Sequence, residues 1–158
     1  EVRSGAAIAA VLPRPDEEQA ASAAWWTALL PRDGPRIHVV ARLPFWAPRS
    51  EGAPQVHALV VAAVPPDASS ADPGSTDRSL IGLELSQEAS RARLSGALAA
   101  AGFDTGTIIL RRDQGAAVAQ ALVDVAGLVA DDDARLAALP DMLRRHDQDL
   151  GAVRREDG

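Results

Sequence analysis

Between Pro65 and Asp77 the chain reads PPDASSADPGSTD, a stretch of Pro, Asp, Ser, Ala and Gly without apolar periodicity. Such a segment cannot bury enough surface to offset the entropy of ordering itself, so it reads as a linker. It therefore sets the architecture: residues 1–64 and 78–158 must each build their own core, with 65–77 between them.

Within the first part, Ala7 to Leu12 is a short apolar run stopped by Pro13 and Pro15, which fits a buried strand. Asp16 to Leu30 is rich in Ala, Glu and Gln, begins with acidic residues and closes on Pro31 and Gly34, which predicts a helix. Ile37 to Leu43 and Val56 to Val64 are Val-rich strand candidates separated by a Pro/Gly/Ser loop, giving βαββ. In the second part, Ser79 to Leu85 is a strand and Glu88 to Ala101 a helix with Leu94, Ala97, Leu98 and Ala101 on one face, ended by Gly102. Thr105 to Arg112 and Val118 to Ala126 are strands joined by a hairpin at Asp113 to Gly115. Asp131 to Asp133 open a second helix with Leu136, Leu139 and Leu143 inward, and Pro140 should kink or restart it. Leu150 to Val153 is a last short strand, completing βαββαβ. The fold class is thus α/β in the α+β sense, the second part being a ferredoxin-like antiparallel sheet with two helices on one face.

Composition narrows the function classes. With 158 residues and 47% hydrophobic content the chain can form a real core. Its longest apolar run, Ala58 to Val64, is far below the roughly 20 residues a membrane span needs, and no basic-then-apolar leader is evident, so the expectation is a soluble cytoplasmic protein. A start at Glu1 instead of Met reads as that of a piece of a longer chain. Cysteine is absent, which removes disulfides, thiolate metal sites and cysteine nucleophiles. Lys, Asn and Tyr are also absent, and all 16 basic residues are Arg, the bias of a G/C-rich genome. Schiff-base and phosphate-loop lysines are thereby excluded. A net charge of −6, with no run of arginines longer than two, argues against a nucleic-acid partner.

The segment ALVDVAGLVADDDARLAAL from Ala121 to Leu139, followed by Leu150-Gly151-Ala152-Val153, resembles the second half of the ACT domain that ends prephenate dehydratases and fused chorismate mutase/prephenate dehydratases. Asp124, Gly127, Asp131, Asp132, Arg135 and Leu150-Gly151 follow that family's order and spacing. Upstream, Gly5 to Pro13 (GAAIAAVLP) is similar to the family's Gly-x-Ala-x-x-x-Val-Val-Pro strand, and Pro54 to Val60 (PQVHALV) occupies the place of its Asn-x-Thr-Arg-Phe-Leu-Val strand. Ile37 to Leu43 is similar to the strand that precedes the catalytic loop. Trp25-Trp26 together with Arg42-Leu43-Pro44-Phe45 further resemble a divergent alpha-proteobacterial branch of chorismate mutases that keep a dehydratase-like tail. The resemblance implies a partial dehydratase-like region at 1–64 and an ACT-like domain at 78–158. It also implies a helical mutase domain upstream, an amino-acid effector, a homodimer through the ACT-like sheet, and no cofactor.

The departures bear on chemistry. Prephenate dehydration needs a proton donor for the leaving hydroxyl and positive charge for two carboxylates. Where the family has Thr-Arg-Phe this chain has Val56-His57-Ala58, and where it has Pro-Ile-Glu-Asn-Ser this chain has Pro13-Arg14-Pro15-Asp16-Glu17. The resemblance therefore implies no dehydratase activity, with His57 the one candidate for a substitute acid, against a plain structural histidine. In the phenylalanine-sensing site a Pro-Gly turn precedes the first helix; a gap-free count places Glu88 and Ala89 there, and a shorter helix places Arg91 and Ala92. The Glu-Ser-Arg-Pro position reads Ile109-Leu110-Arg111-Arg112, which keeps Arg111 alone. Glu88, Ala89 and Arg111 are thus the ligand-binding candidates. His38, His57 and His146 have no metal-ligand spacing, and the Asp131-Asp132-Asp133 run reads as a helix cap. Trp25-Trp26 read as a core or interdomain anchor. Three functions remain open at this point. The first is a non-catalytic regulatory or assembly region of a mutase. The second is a dehydratase with a rearranged site using His57 and Arg36 or Arg42. The third is an unrelated ferredoxin-like small-molecule-binding module.

Overall fold

The computed structural model describes residues 1–31, 34–44, 52, 56–65, 77–140 and 143. The chain divides into two compact units, Glu1–Ser70 and Ala71–Gly158, a division that falls within 65–77. Together they form an α+β structure with two small antiparallel three-stranded sheets.

In the first unit, strands β1 (Ala9–Pro13), β2 (His38–Leu43) and β3 (Ala58–Ala62) pair antiparallel in the order β1-β3-β2. The central strand is wholly apolar, ALVVA, as suits a strand paired on both edges. Pro13, which has no amide proton to donate, ends an edge strand, where its loss costs least. Leu12 lies opposite Leu59, and Ala10 opposite Val61. Leu59 and Val61 are buried, as are Ala24 and Trp26 from the segment between β1 and β2.

That segment is not the helix that Asp16 to Leu30 predicts. It holds two short 3₁₀ helices, Ala21–Ala23 and Trp25–Leu29. Ala24, at φ −78° and ψ 58°, leaves helical geometry between them. The cause is local competition. Trp25 and Trp26 are adjacent yet have different destinations: the Trp25 indole donates to Pro13 O at 2.9 Å, while Trp26 is buried. Thr27 Oγ1 donates back to Ala24 O at 2.8 Å, and Asp16 Oδ1 accepts from Glu18 N at 3.0 Å, so the polar side chains satisfy backbone groups outside an α-helical ladder.

In the second unit, β4 (Arg78–Ser86), β5 (Thr105–Arg111) and β6 (Val118–Ala126) pair antiparallel in the order β4-β6-β5, and α1 (Arg91–Ala100) connects β4 to β5. The β4–β6 ladder runs from Arg78 opposite Ala126 to Ser86 opposite Val118 without a break. Period-two alternation puts Ile81, Leu85, Ala119, Ala121, Val123, Val125 and Ile108 into one core with Leu94 and Leu98 of α1. The helix begins later than the predicted Glu88, because Ser90 is extended and its hydroxyl accepts from Arg93 N at 3.1 Å as an N-cap. It ends at Gly102, whose φ of +90° lets Phe103 N return to Leu98 O at 3.0 Å. A second helix, α2, covers 134–140, and residue 143 is helical too. Leu139 is buried in the core, with Leu136 and Leu143 packed against it. The predicted strand at Leu150 to Val153 lies outside the described residues.

Candidate functional site

The three segments that carry the dehydratase resemblance meet at one end of the first sheet. Pro13 and Leu43 both lie opposite Ala58, and Arg14 N donates to His57 O at 3.1 Å, extending the β1–β3 ladder by one residue. Arg42 lies opposite Leu59, and His57 immediately precedes β3 at the same end of the sheet. His57, Arg42 and Arg36 are exposed. Asp16 does not face them as an open carboxylate, since it caps its own turn through Glu18 N. His38 lies opposite Ala62, the far end of β3 from His57, roughly 16 Å away along the strand. His146 lies outside the described residues. Among the described residues no three His, Cys, Asp or Glu side chains are grouped to hold a metal ion, and no helix is long and apolar enough to cross a membrane.

Two of the ligand-binding candidates, Glu88 and Ala89, lie at the turn where β4 passes into α1. Ala89 is buried and its amide donates to Ser86 O at 3.0 Å; Glu88 is exposed and its amide donates to Ser86 Oγ at 3.3 Å. Arg111 pairs instead with Asp113, at 2.6 Å to Oδ1 and 3.2 Å to Oδ2. The arginine that reaches the turn is its neighbour. Arg112 Nε donates to Gln87 O at 3.0 Å and Arg112 Nη2 donates to Ala89 O. Gln87 Nε2 donates in turn to Ala116 O at 2.9 Å and Val118 O at 2.8 Å, joining the same turn to the β5–β6 hairpin. Arg91, the alternative position, donates from Nη1 to Ile108 O at 2.5 Å.

Period-two alternation held the signal for Arg112. Ile108 and Leu110 point to the α1 side, and Arg112 continues their parity while Arg111 takes the other. Burial of Ile109 as well as Ile108 hides that parity in the sequence, because both faces of β5 carry apolar residues.

Asp133, the last of the acidic run before α2, serves the helix. Asp133 Oδ1 accepts from Arg135 N at 2.9 Å, and the Arg135 guanidinium grips the same carboxylate, with Nη2 to Oδ2 at 2.7 Å. The side-chain hydrogen bond from Arg135, then the backbone one, hold the Asp133 carboxyl below the usual carboxylate range, and the same bond raises Arg135. Arg135 also lies 4.4 Å from the centre of the Phe103 ring, a cation–π contact that pins the start of α2 to the end of α1. Comparison of the chain with protein-family models, with curated proteins and with solved structures returned no significant match in any of the three.

Proposed function

We propose that this chain is a non-catalytic regulatory or assembly region of a chorismate mutase/prephenate dehydratase-like protein of aromatic amino acid biosynthesis, with an ACT-type second unit. The observation that carries the reading is the strand order β4-β6-β5 with α1 between β4 and β5 and a helix after β6. A ferredoxin-like βαββαβ domain has this connectivity up to its last strand. Pairing with a second subunit through this sheet would make the homodimer. The segment from Asp124 to Arg135, which carries the resemblance, is built into that unit at specific points. Asp124 pairs with Arg78 at 2.6 Å, Gly127 turns at φ +82°, and Arg135 closes on Asp133. The test is turnover. The full-length parent should convert chorismate through its upstream domain, and prephenate should not be dehydrated at an enzymatic rate. Dehydration at such a rate, or a parent without mutase activity, defeats the reading.

One observation favours a second reading, a dehydratase with a rearranged site. His57 immediately precedes β3 at the end of the sheet where Arg42 lies opposite Leu59, an imidazole that could donate a proton near a guanidinium that could hold a carboxylate. A prephenate assay of the full-length protein with His57→Ala and Arg42→Ala separates the two. Real activity that either substitution removes selects the dehydratase.

A further inference from the structure

The turn between β4 and α1 is closed by its own unit from two sides. Gln87 holds the carbonyls of Ala116 and Val118, so the turn cannot move away from the hairpin without breaking two hydrogen bonds. Arg112 holds the carbonyls of Gln87 and Ala89, so the two oxygens that the turn directs toward β5 both receive a single guanidinium. A convergent pair of carbonyl oxygens is a receptor for a multiply donating cation, an ammonium or a guanidinium. The planar fork of arginine bridges two such oxygens at once, which a lysine ammonium on its flexible stem does with far less pre-organisation.

We propose that Arg112 is a built-in ligand of this turn, filling the carbonyl pair of Gln87 and Ala89 and holding the unit closed without an effector. Where an amino-acid effector would bring its own ammonium, this chain supplies a guanidinium from its sheet. On the ACT-type reading, a turn filled in this way serves assembly, not sensing. Identifying the excluded ligand as an amino acid rests on the ACT-type reading above; the latch itself rests on the hydrogen bonds alone.

The geometry explains why the turn needs no glycine. Ala89 is buried, and its amide and carbonyl are both engaged within the unit, the first by Ser86 O and the second by Arg112. No close backbone approach by an outside molecule is required there, so a methyl group is tolerated where an open site would call for bare backbone.

The test compares the full wild-type chain with Arg112→Ala and Arg112→Lys by amide hydrogen exchange over 86–91. Methylguanidinium serves as the probe, methylammonium as its control, and Phe, Tyr and Trp are titrated calorimetrically into each protein. Removal of the guanidinium should speed exchange of the Glu88 and Ala89 amides about tenfold or more and lower the melting temperature by roughly 5 °C. Millimolar methylguanidinium should restore both in Arg112→Ala, while methylammonium should not. Arg112→Lys keeps the charge and should recover little of the protection. Wild-type exchange in Arg112→Ala overturns the latch, as does binding of an aromatic amino acid at this turn by the wild-type chain. If the turn opens, recloses on methylguanidinium and then takes an aromatic amino acid in Arg112→Ala, latch and effector-site reading both stand. If it opens and recloses but no amino acid binds either protein, the latch stands and the effector-site reading falls.

Discussion

Arg78 of β4 meets Asp124 of β6 at 2.6 Å, and its guanidinium lies over Gly106 of β5, where an added Cβ would come 2.5 Å from Arg78 Nη2. The three strands of the second sheet thus meet in one ion pair, with glycine leaving room for it. The clash would be with the end of a flexible side chain, so Gly106→Ala should displace Arg78 at small cost, near the 0.2–1 kcal/mol that half-exposed pairs are worth (about 0.5 kcal/mol). The informative result is non-additivity. Asp124→Ala should cost roughly 0.5 kcal/mol in the wild-type background and close to nothing after Gly106→Ala, measured by a urea-denaturation double-mutant cycle.

Leu94 has no exposed surface and stands at the centre of the second core with Val123 and Val125. Leu94→Ala should destabilise that unit by about 2–5 kcal/mol, depending on how far α1 settles toward the sheet. Chemical denaturation followed by helical ellipticity reads it.

Asp133 sets a pH dependence whose direction follows from its partners. Its carboxyl is held low in the folded state by Arg135, so the unfolded chain takes up the proton first as pH falls. The stabilisation is complete above the ordinary carboxylate range and is lost as pH drops through the lower folded value. Asp133→Asn can still cap α2 but cannot pair with Arg135 as a carboxylate, and it should remove this acid-dependent part of the melting curve while keeping the helix at neutral pH. A pH series of thermal melts on the two proteins shows it.

The two adjacent tryptophans should separate cleanly. Trp26 is buried and its truncation to Ala should cost about 3–5 kcal/mol in the first unit. Trp25→Phe keeps a ring and loses the hydrogen bond to Pro13 O, so about 0.5–1.5 kcal/mol is expected. Guanidinium denaturation of each variant, followed by the fluorescence of the remaining tryptophans, distinguishes them.

The sequence was most legible where one physical signal dominated. Val118 to Ala126 is the predicted strand to the residue, because β6 is paired on both sides and nearly every position contributes burial. The α1 face of Leu94, Ala97 and Leu98 follows from helical spacing in the same way. Legibility failed over Asp16 to Leu30. There Ala-rich composition favoured a helix, but the tryptophans and the Asp16 and Thr27 side chains took up backbone and core partners that composition does not record.

At the turn before α1 the residue types were readable and their pairing was not. Which arginine closes on the turn depends on the side of the chain that Arg111 and Arg112 each occupy, and the residue types alone do not show it. By itself the sequence determined the strands found among the described residues and the α1 core face, since each follows from local punctuation and periodicity. Tertiary structure alone decided the strand order in each sheet and the closure of Arg112 on Gln87 and Ala89. Those are contacts between residues distant in the chain, and their geometry exists only once the sheet has set its register.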